Sequence, residues 1–318
     1  MNITAHPVVA SLTPVFLLIG LGYLAGRLQW IREGAVKDLS NLVFLLLIPA
    51  LLFRTMSAVN VQALDLRPLA AYFPVALGLL GASIAWRGFN RGSVVMAVGG
   101  VFSNMVMIGI TLVELAYGKE GQVTLLTLVS VHALILLTLG SIVLELAVAR
   151  EARAGGQRVP HVLSTAWSAF KGALIHPIPL PILCGLLFAQ TGLTLPTVVD
   201  KPLQLLGSAF GPIALVLVGV TLARTPMAGH LRQALWISIS KNLVLPLLVG
   251  LSAWAMGITG LPLTVMVVAA ALPVGANVFL FAQRYEVAQE LTTAAMGLST
   301  LLALFTLSFV MLVMSYLN

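Results

Sequence analysis

Residues 272–281 read LPVGANVFLF, which sets a proline, a glycine and an asparagine inside a run that is otherwise apolar. Proline removes a backbone donor and clashes with the preceding turn, and glycine weakens a helix, so the stretch interrupts whatever helix carries it. A second stretch, GGVFSNMVMIG at 99–109, repeats the order of small residues, then Asn, then a bulky apolar run. The two interruptions are read as a pair, and that pairing decides the fold.

The chain around them is unlike a soluble domain. It is 59% hydrophobic and 8% charged, with a mean hydropathy of +1.05, where soluble proteins carry about a quarter charged residues. A span needs roughly 20 mostly apolar residues to cross the hydrocarbon layer. Stretches of that kind lie near 8–28, 39–58, 68–87, 92–117, 121–148, 174–191, 203–223, 231–256, 262–283 and 289–316. Their periodicity is helical, with no alternating barrel pattern, so each segment satisfies its own backbone. The predicted fold is an all-α polytopic membrane protein with ten transmembrane helices.

The net charge of +7 and pI near 10.0 do not point to nucleic acid, because the basic residues stand singly between spans with no aromatic platform among them. Orientation explains them. With the N-terminus outside, the inner loops collect Arg27, Arg32, Lys37, Arg87, Arg91, Arg150, Arg153, Arg158, Lys171, Arg224, Arg232 and Arg284, and the outer loops only Arg54, Arg67, Lys119 and Lys201. The positive-inside rule then predicts both termini outside a cell (inner) membrane. The start MNITAHPVVASLTP has no basic run before the apolar segment, so the first span is expected to be retained. The single cysteine, Cys184, excludes an intrachain disulfide.

The longest polar segment falls between spans five and six and divides the chain into 1–148, a cytoplasmic linker at 149–172, and 173–318. Gly22 to Pro49 and Gly185 to Pro212 are both 27 residues apart; Pro74 and Pro246 are separated by 172 and Asn104 and Asn277 by 173. A five-span unit ends on the side opposite its start, so a second copy is inverted. The loops agree: Arg87 and Arg91 follow span three, while MGITGLP after span eight is uncharged. Inverted repeats with interrupted helices in matching positions are the sequence signature of a secondary transporter and its binding site. A lone Pro in a membrane helix is ordinarily a packing kink, and a lone Asn is ordinarily interhelical glue. Recurrence in register is what sets these apart.

Four stretches carry a resemblance to a known family: LSNLVFLLLIPALLF in span two, SNMVMIGITLVELAYGKEG in span four, KNLVLPLL in span eight and ALPVGANVFLFAQRYEVAQELTTAAMGLSTLLAL across spans nine and ten. Over essentially its whole length the chain resembles the auxin efflux carrier family of permeases, and within it the bacterial malonate-transporter branch. The resemblance implies ten helices in two inverted five-helix repeats, related to bile-acid symporters and sodium/proton antiporters, with helices 4 and 9 broken and crossing at mid-membrane. It implies a scaffold of helices 1, 2, 6 and 7 and a moving domain of helices 3–5 and 8–10. Span four departs from the pattern: Gly99 and Gly100 stand where members often have a proline.

Broken helices at mid-depth are tolerated only where protein or water covers them, so the breaks imply a cavity. Ser103 or Asn104, and Asn277, have side chains suited to capping the half-helices that follow. Two half-helix N-termini with free N–H donors would then favour a carboxylate. Asn104, Asn277, Ser103, Gly100, Gly275, Pro273 and Lys241 are taken as the substrate-binding set. Lys241 is about ten residues into span eight, where a charge costs about 3 kcal/mol and must face protein or water; it either serves the substrate or has a structural partner. His132 and Glu114 are coupling candidates, with a neutral bonded His and an interfacial Glu as the plainer alternatives. Glu145 is expected to pair with the basic inner loop.

No HExxH, GxSxG or paired membrane aspartates occur, so no catalytic residues and no enzyme are expected, and no metal site or cofactor. The coupling ion stays open between H+ and Na+. The predicted function is a secondary active permease for a small organic anion; that the anion is malonate and that the permease works by elevator-like alternating access is what the resemblance implies. A passive organic-anion channel and a sodium-coupled symporter of the bile-acid type are the alternatives. The partners are a small carboxylate and membrane lipid, with no nucleic acid and with room for a homodimer.

Overall fold

The computed structural model describes residues 7–60, 62, 65–154, 177–224 and 229–317. The described residues are helical apart from turns and a single isolated bridge. The helices are α1 (Pro7–Arg27), α2 (Glu33–Leu42), α3 (Ile48–Ser57), α4 (Arg67–Arg87), α5 (Arg91–Gly99), α6 (Ile110–Ala154), α7 (Pro179–Gln190), α8 (Thr197–Ala223), α9 (Leu231–Ile239), α10 (Leu245–Ala255), α11 (Gly260–Ala271), α12 (Asn277–Arg284) and α13 (Gln289–Leu317).

Seven described helices are long and apolar enough to cross a membrane: Val8–Arg27, Gly34–Ser57, Arg67–Arg87, Met105–Arg153, Thr197–Ala223, Leu231–Ala255 and Gln289–Leu317. Pro179–Gln190 and Gly260–Ala271 are shorter apolar helices. The difference from ten spans has physical sources. Met105–Arg153 runs two expected spans together across Gly118, whose φ of 64° and ψ of −161° kink the chain. Spans four and nine are cut by their own interruptions. Of span six residues 177–191 are described, with the helix at Pro179–Gln190, and most of the 149–172 linker, with Arg158 and Lys171, lies outside the described residues.

Prolines shape two of the long helices. The stretches 33–57 and 231–255 each contain a π-turn, Val43–Leu47 and Ser240–Val244, and in each a proline, Pro49 or Pro246, stands two residues after it. The widened turn relieves the clash of the proline ring with the preceding carbonyl. Pro74 and Pro212, their partners in the sequence repeat, sit inside unbroken helices.

Two compact units make up the chain, and each draws on both halves of it. The first is Met1–Leu66, Met105–Ser130 and Ile175–Thr225; the second is Arg67–Asn104, Val131–Leu174 and Pro226–Asn318. In the first unit α1 crosses α8 at very close range: a Cβ on Gly22 would lie 2.0 Å from Val216 O, and one on Gly219 2.0 Å from Ile19 O. Without a hydrophobic drive between lipid-bathed helices, such small-residue contacts supply the van der Waals packing that holds them. A bidentate pair at 2.7 and 3.1 Å joins Arg54 of α3 to Asp200 of α8. In the second unit Arg91 at the start of α5 pairs with Glu151 at 2.6 Å. Among the described residues Glu145 accepts from the Tyr285 hydroxyl at 2.9 Å, and no described loop base bonds to it.

Candidate functional site: two paired helix breaks

Both interruptions fall in the second unit. The first occupies residues 100–104 after α5, and the second residues 272–276 after α11. α11 stops because Leu272 precedes a proline, which disfavours the helical region; Leu272 is extended, with φ −58° and ψ 151°. The two breaks then pair with each other. Ser103 lies opposite Val274 in an antiparallel bridge. The Asn104 N–H donates to Pro273 O at 2.8 Å, and the Gly275 N–H donates to Phe102 O at 2.9 Å. Gly275 is required by this approach, since a Cβ there would lie 2.8 Å from the Phe102 ring and 3.1 Å from Ser103 O.

Side chains satisfy further backbone groups of the second break. Lys241, in the Ser240–Val244 π-turn, is fully buried and donates to Ala270 O at 2.5 Å and to Leu272 O at 2.6 Å. Its ammonium thus meets the carbonyl end of α11, the negative end of that helix's dipole. Ser299 of α13 accepts from the Val274 N–H at 3.1 Å, and the Ser299 carbonyl accepts from Asn242 Nδ2 at 2.8 Å. At the first break, Ser103 Oγ and the Tyr72 hydroxyl lie 3.2 Å apart. Gly100 packs against Ser240, whose Oγ would be 3.2 Å from a Cβ.

His132, on α6 and 3% exposed, sits behind the first break. Its ring contacts Phe102 at 4.7 Å, Tyr72 at 5.8 Å and Phe73 at 6.4 Å between centroids. Neither ring nitrogen bonds to a described residue. The expectation that a neutral His would bond a neighbouring helix is therefore not met among the described residues.

Ser103, Asn104, Pro273 and Gly275 thus come together, with Lys241 and His132 on either flank. Glu114 does not join them: it belongs to the other unit, is exposed and accepts from Gln122 Nε2 at 3.0 Å. The expected capping by Asn277 is corrected. The N-cap of α12 is Ala276, with no side-chain capping bond. The first turn is closed by backbone bonds instead, Val278 N–H to Gly275 O at 3.2 Å and Phe279 N–H to Ala276 O at 3.0 Å, the second of which occupies a donor that an Asn277 cap would have taken. Ser103 Oγ is paired with the Tyr72 hydroxyl, and either can be the donor. Asn277 is left half-buried with no hydrogen bond to a described residue, and Asn104 is also half-buried. Sequence reasoning missed Tyr72, Asn242 and Ser299; only Asn242, beside Lys241 in the mid-span SKN, gave a signal there.

Lys241 is the one formally charged residue on the buried surface among the described residues. The acidic residues described in its unit, Glu145, Glu151, Glu286 and Glu290, lie toward the end of α6, in the turn after α12 or at the start of α13. The paired breaks therefore hold a buried lysine amine bonded to neutral carbonyls, and an ammonium there would be costly without a counter-charge. An anion arriving there would offset that cost.

Residues 7–311 match the family described as membrane transport protein. The chain is 28% identical over 303 residues to a Rhizobium meliloti (strain 1021) protein named "Putative malonate transporter", covering 93% of this chain and 92% of that one. It is 23% identical over 348 residues to "Auxin efflux carrier component 8" of Arabidopsis thaliana, covering 94% and 95%. It is 25% identical over 305 residues to "Uncharacterized transporter YfdV" of Escherichia coli (strain K12), covering 92% and 93%. With its apolar helices and a match over nearly its whole length, the chain belongs to the membrane transport protein (auxin efflux carrier) family and is a multi-pass membrane transporter rather than an enzyme.

Proposed function

We propose that the protein is a secondary active permease for a small organic carboxylate, with malonate as the first candidate, in the cell (inner) membrane. The observation that carries this reading is the buried Lys241 ammonium beside two paired helix breaks, with no carboxylate described near it. The anion would bind at the breaks. Asn104 and Asn277 offer amide donors, Ser103 and Lys241 supply a hydroxyl and the charge, and Gly100, Pro273 and Gly275 contribute backbone shape. The name of the Rhizobium meliloti relative supports the substrate class.

The chain would span the membrane ten times as two inverted repeats with both termini outside, and the unit holding the breaks would carry the anion from one face to the other in an elevator-like step. Lys241 takes the Ala270 and Leu272 carbonyls, oxygens that a sodium ion at the second break could otherwise use. That favours H+ over Na+ as the coupling ion.

Uptake of labelled malonate into proteoliposomes tests the reading. Saturable uptake that is accelerated by unlabelled malonate inside the vesicle is expected. Single-channel conductance without such acceleration would identify a passive channel, and no response to any mono- or dicarboxylate in uptake or in a thermal-shift screen would remove the carboxylate assignment.

A further inference from the structure

Resting on the carboxylate reading, we propose that His132 is the proton acceptor of transport, taking up one proton when the anion binds at the paired breaks. Three features carry this. Both imidazole nitrogens are buried and bond to no described residue, although a buried polar group ordinarily has a partner. The ring is coupled by contact to the site: it packs 4.7 Å from the Phe102 ring, which seats against Gly275, while the Phe102 carbonyl accepts from the Gly275 N–H. A second route runs through Tyr72, whose ring meets the imidazole at 5.8 Å and whose hydroxyl lies 3.2 Å from Ser103 Oγ.

The charges around His132 give the coupling its sign. The titratable groups toward it are Tyr72 from α4 and Lys241 from the π-turn, whose ammonium acts electrostatically on the ring. From the first break it meets the Phe102 ring, and no carboxylate is described beside it. Two positive charges in one buried, carboxylate-free site repel. With the site empty, a proton on His132 has no described carboxylate to offset it, and the imidazole is neutral. A bound carboxylate adds negative charge, and the second positive charge becomes acceptable. A proton from water then adds to a free imidazole nitrogen; one N–H bond forms and no other bond changes. Anion and proton would move together.

Because the proton is bound in the complex and not in the empty site, affinity should be high at low pH and fall as pH rises. Calorimetry of malonate binding between about pH 7 and pH 9, in two buffers of different ionisation enthalpy, counts the protons taken up. Proton uptake that is largest at the low end of the range, at most one per anion, and declines as pH rises is expected for the wild type, with affinity falling by up to about tenfold per pH unit. In His132→Gln, malonate should still bind, with affinity nearly independent of pH and no proton uptake. Glu114→Gln should behave like the wild type. Malonate binding without proton uptake in the wild type overturns the proposal while leaving the carboxylate reading standing, and so does uptake that survives in His132→Gln or disappears in Glu114→Gln. If His132→Gln does not fold, His132→Asn takes its place in the same measurement, and proton uptake that survives there overturns the proposal. Failure of every mono- and dicarboxylate to bind would instead remove the carboxylate reading and this inference with it.

Discussion

The two breaks bond to each other, but they are held by different means. The second is fastened through its own backbone: Lys241 takes the Ala270 and Leu272 carbonyls, Ser299 takes the Val274 N–H, and Phe102 O takes the Gly275 N–H. The first is fastened to the second by two backbone bonds and, through the Ser103 side chain, to Tyr72. The glycines differ in the same way. Gly275 has no room for a Cβ, whereas a Cβ at Gly100 would meet a serine hydroxyl at 3.2 Å and the Ala97 carbonyl oxygen at 3.4 Å. The second break is thus a fixed platform, and the first is laid on it. A carboxylate site made from the two would take its charge from the platform and its adaptability from the other strand.

Lys241→Met should have the largest effect. It leaves two buried carbonyls without a donor, at about 1–3 kcal/mol each, and removes the charge. Thermal unfolding in detergent should show a marked loss of stability, and malonate uptake should fall to background. A stable Lys241→Met that still transports would mean that the second break needs no fastening. Gly275→Ala should cost about 1–3 kcal/mol through overpacking against Phe102, while Gly100→Ala should cost less because a hydroxyl can turn aside; equal losses in the same unfolding assay would erase the distinction between platform and strand. Ser299→Ala leaves the Val274 N–H unpaired and should cost about 1–3 kcal/mol. Tyr72→Phe, at the first break, removes one hydrogen bond and should cost about 0.5–1.5 kcal/mol.

The positions of the breaks were legible because proline, glycine and asparagine act locally. Pro273 forces Leu272 out of the helix whatever surrounds it. The fastening was not legible, because it joins residues far apart in sequence. Ser299 is one of several hydroxyls in α13, and most of those bond within their own helix. Tyr72 is one of three aromatics in an apolar helix, and nothing local marks its hydroxyl. Lys241 stood out as a charge in mid-span, but which carbonyls it would meet depended on how α11 ends beside the π-turn. Asn277 shows a local rule losing to a neighbouring one. An Asn after small residues reads as a cap, yet the tight Gly275–Ala276 turn starts the helix one residue earlier and closes its first bonds with backbone.

The correction at Asn277 makes it the best probe of the central claim, that a carboxylate binds at the paired breaks. Its side chain caps nothing and bonds to no described residue, so changing it should leave the fold alone. In the first turn of α12 an aspartate is also compatible with the positive helix end. The decisive measurement is the malonate dissociation constant of Asn277→Asp against the wild type, by calorimetry on protein with an unchanged unfolding temperature. An ionised carboxylate beside the bound anion should weaken binding at least about tenfold, or about 1.4 kcal/mol. Wild-type affinity in folded Asn277→Asp would contradict the account, because no anion could then sit beside this residue and the paired breaks would be a structural joint alone.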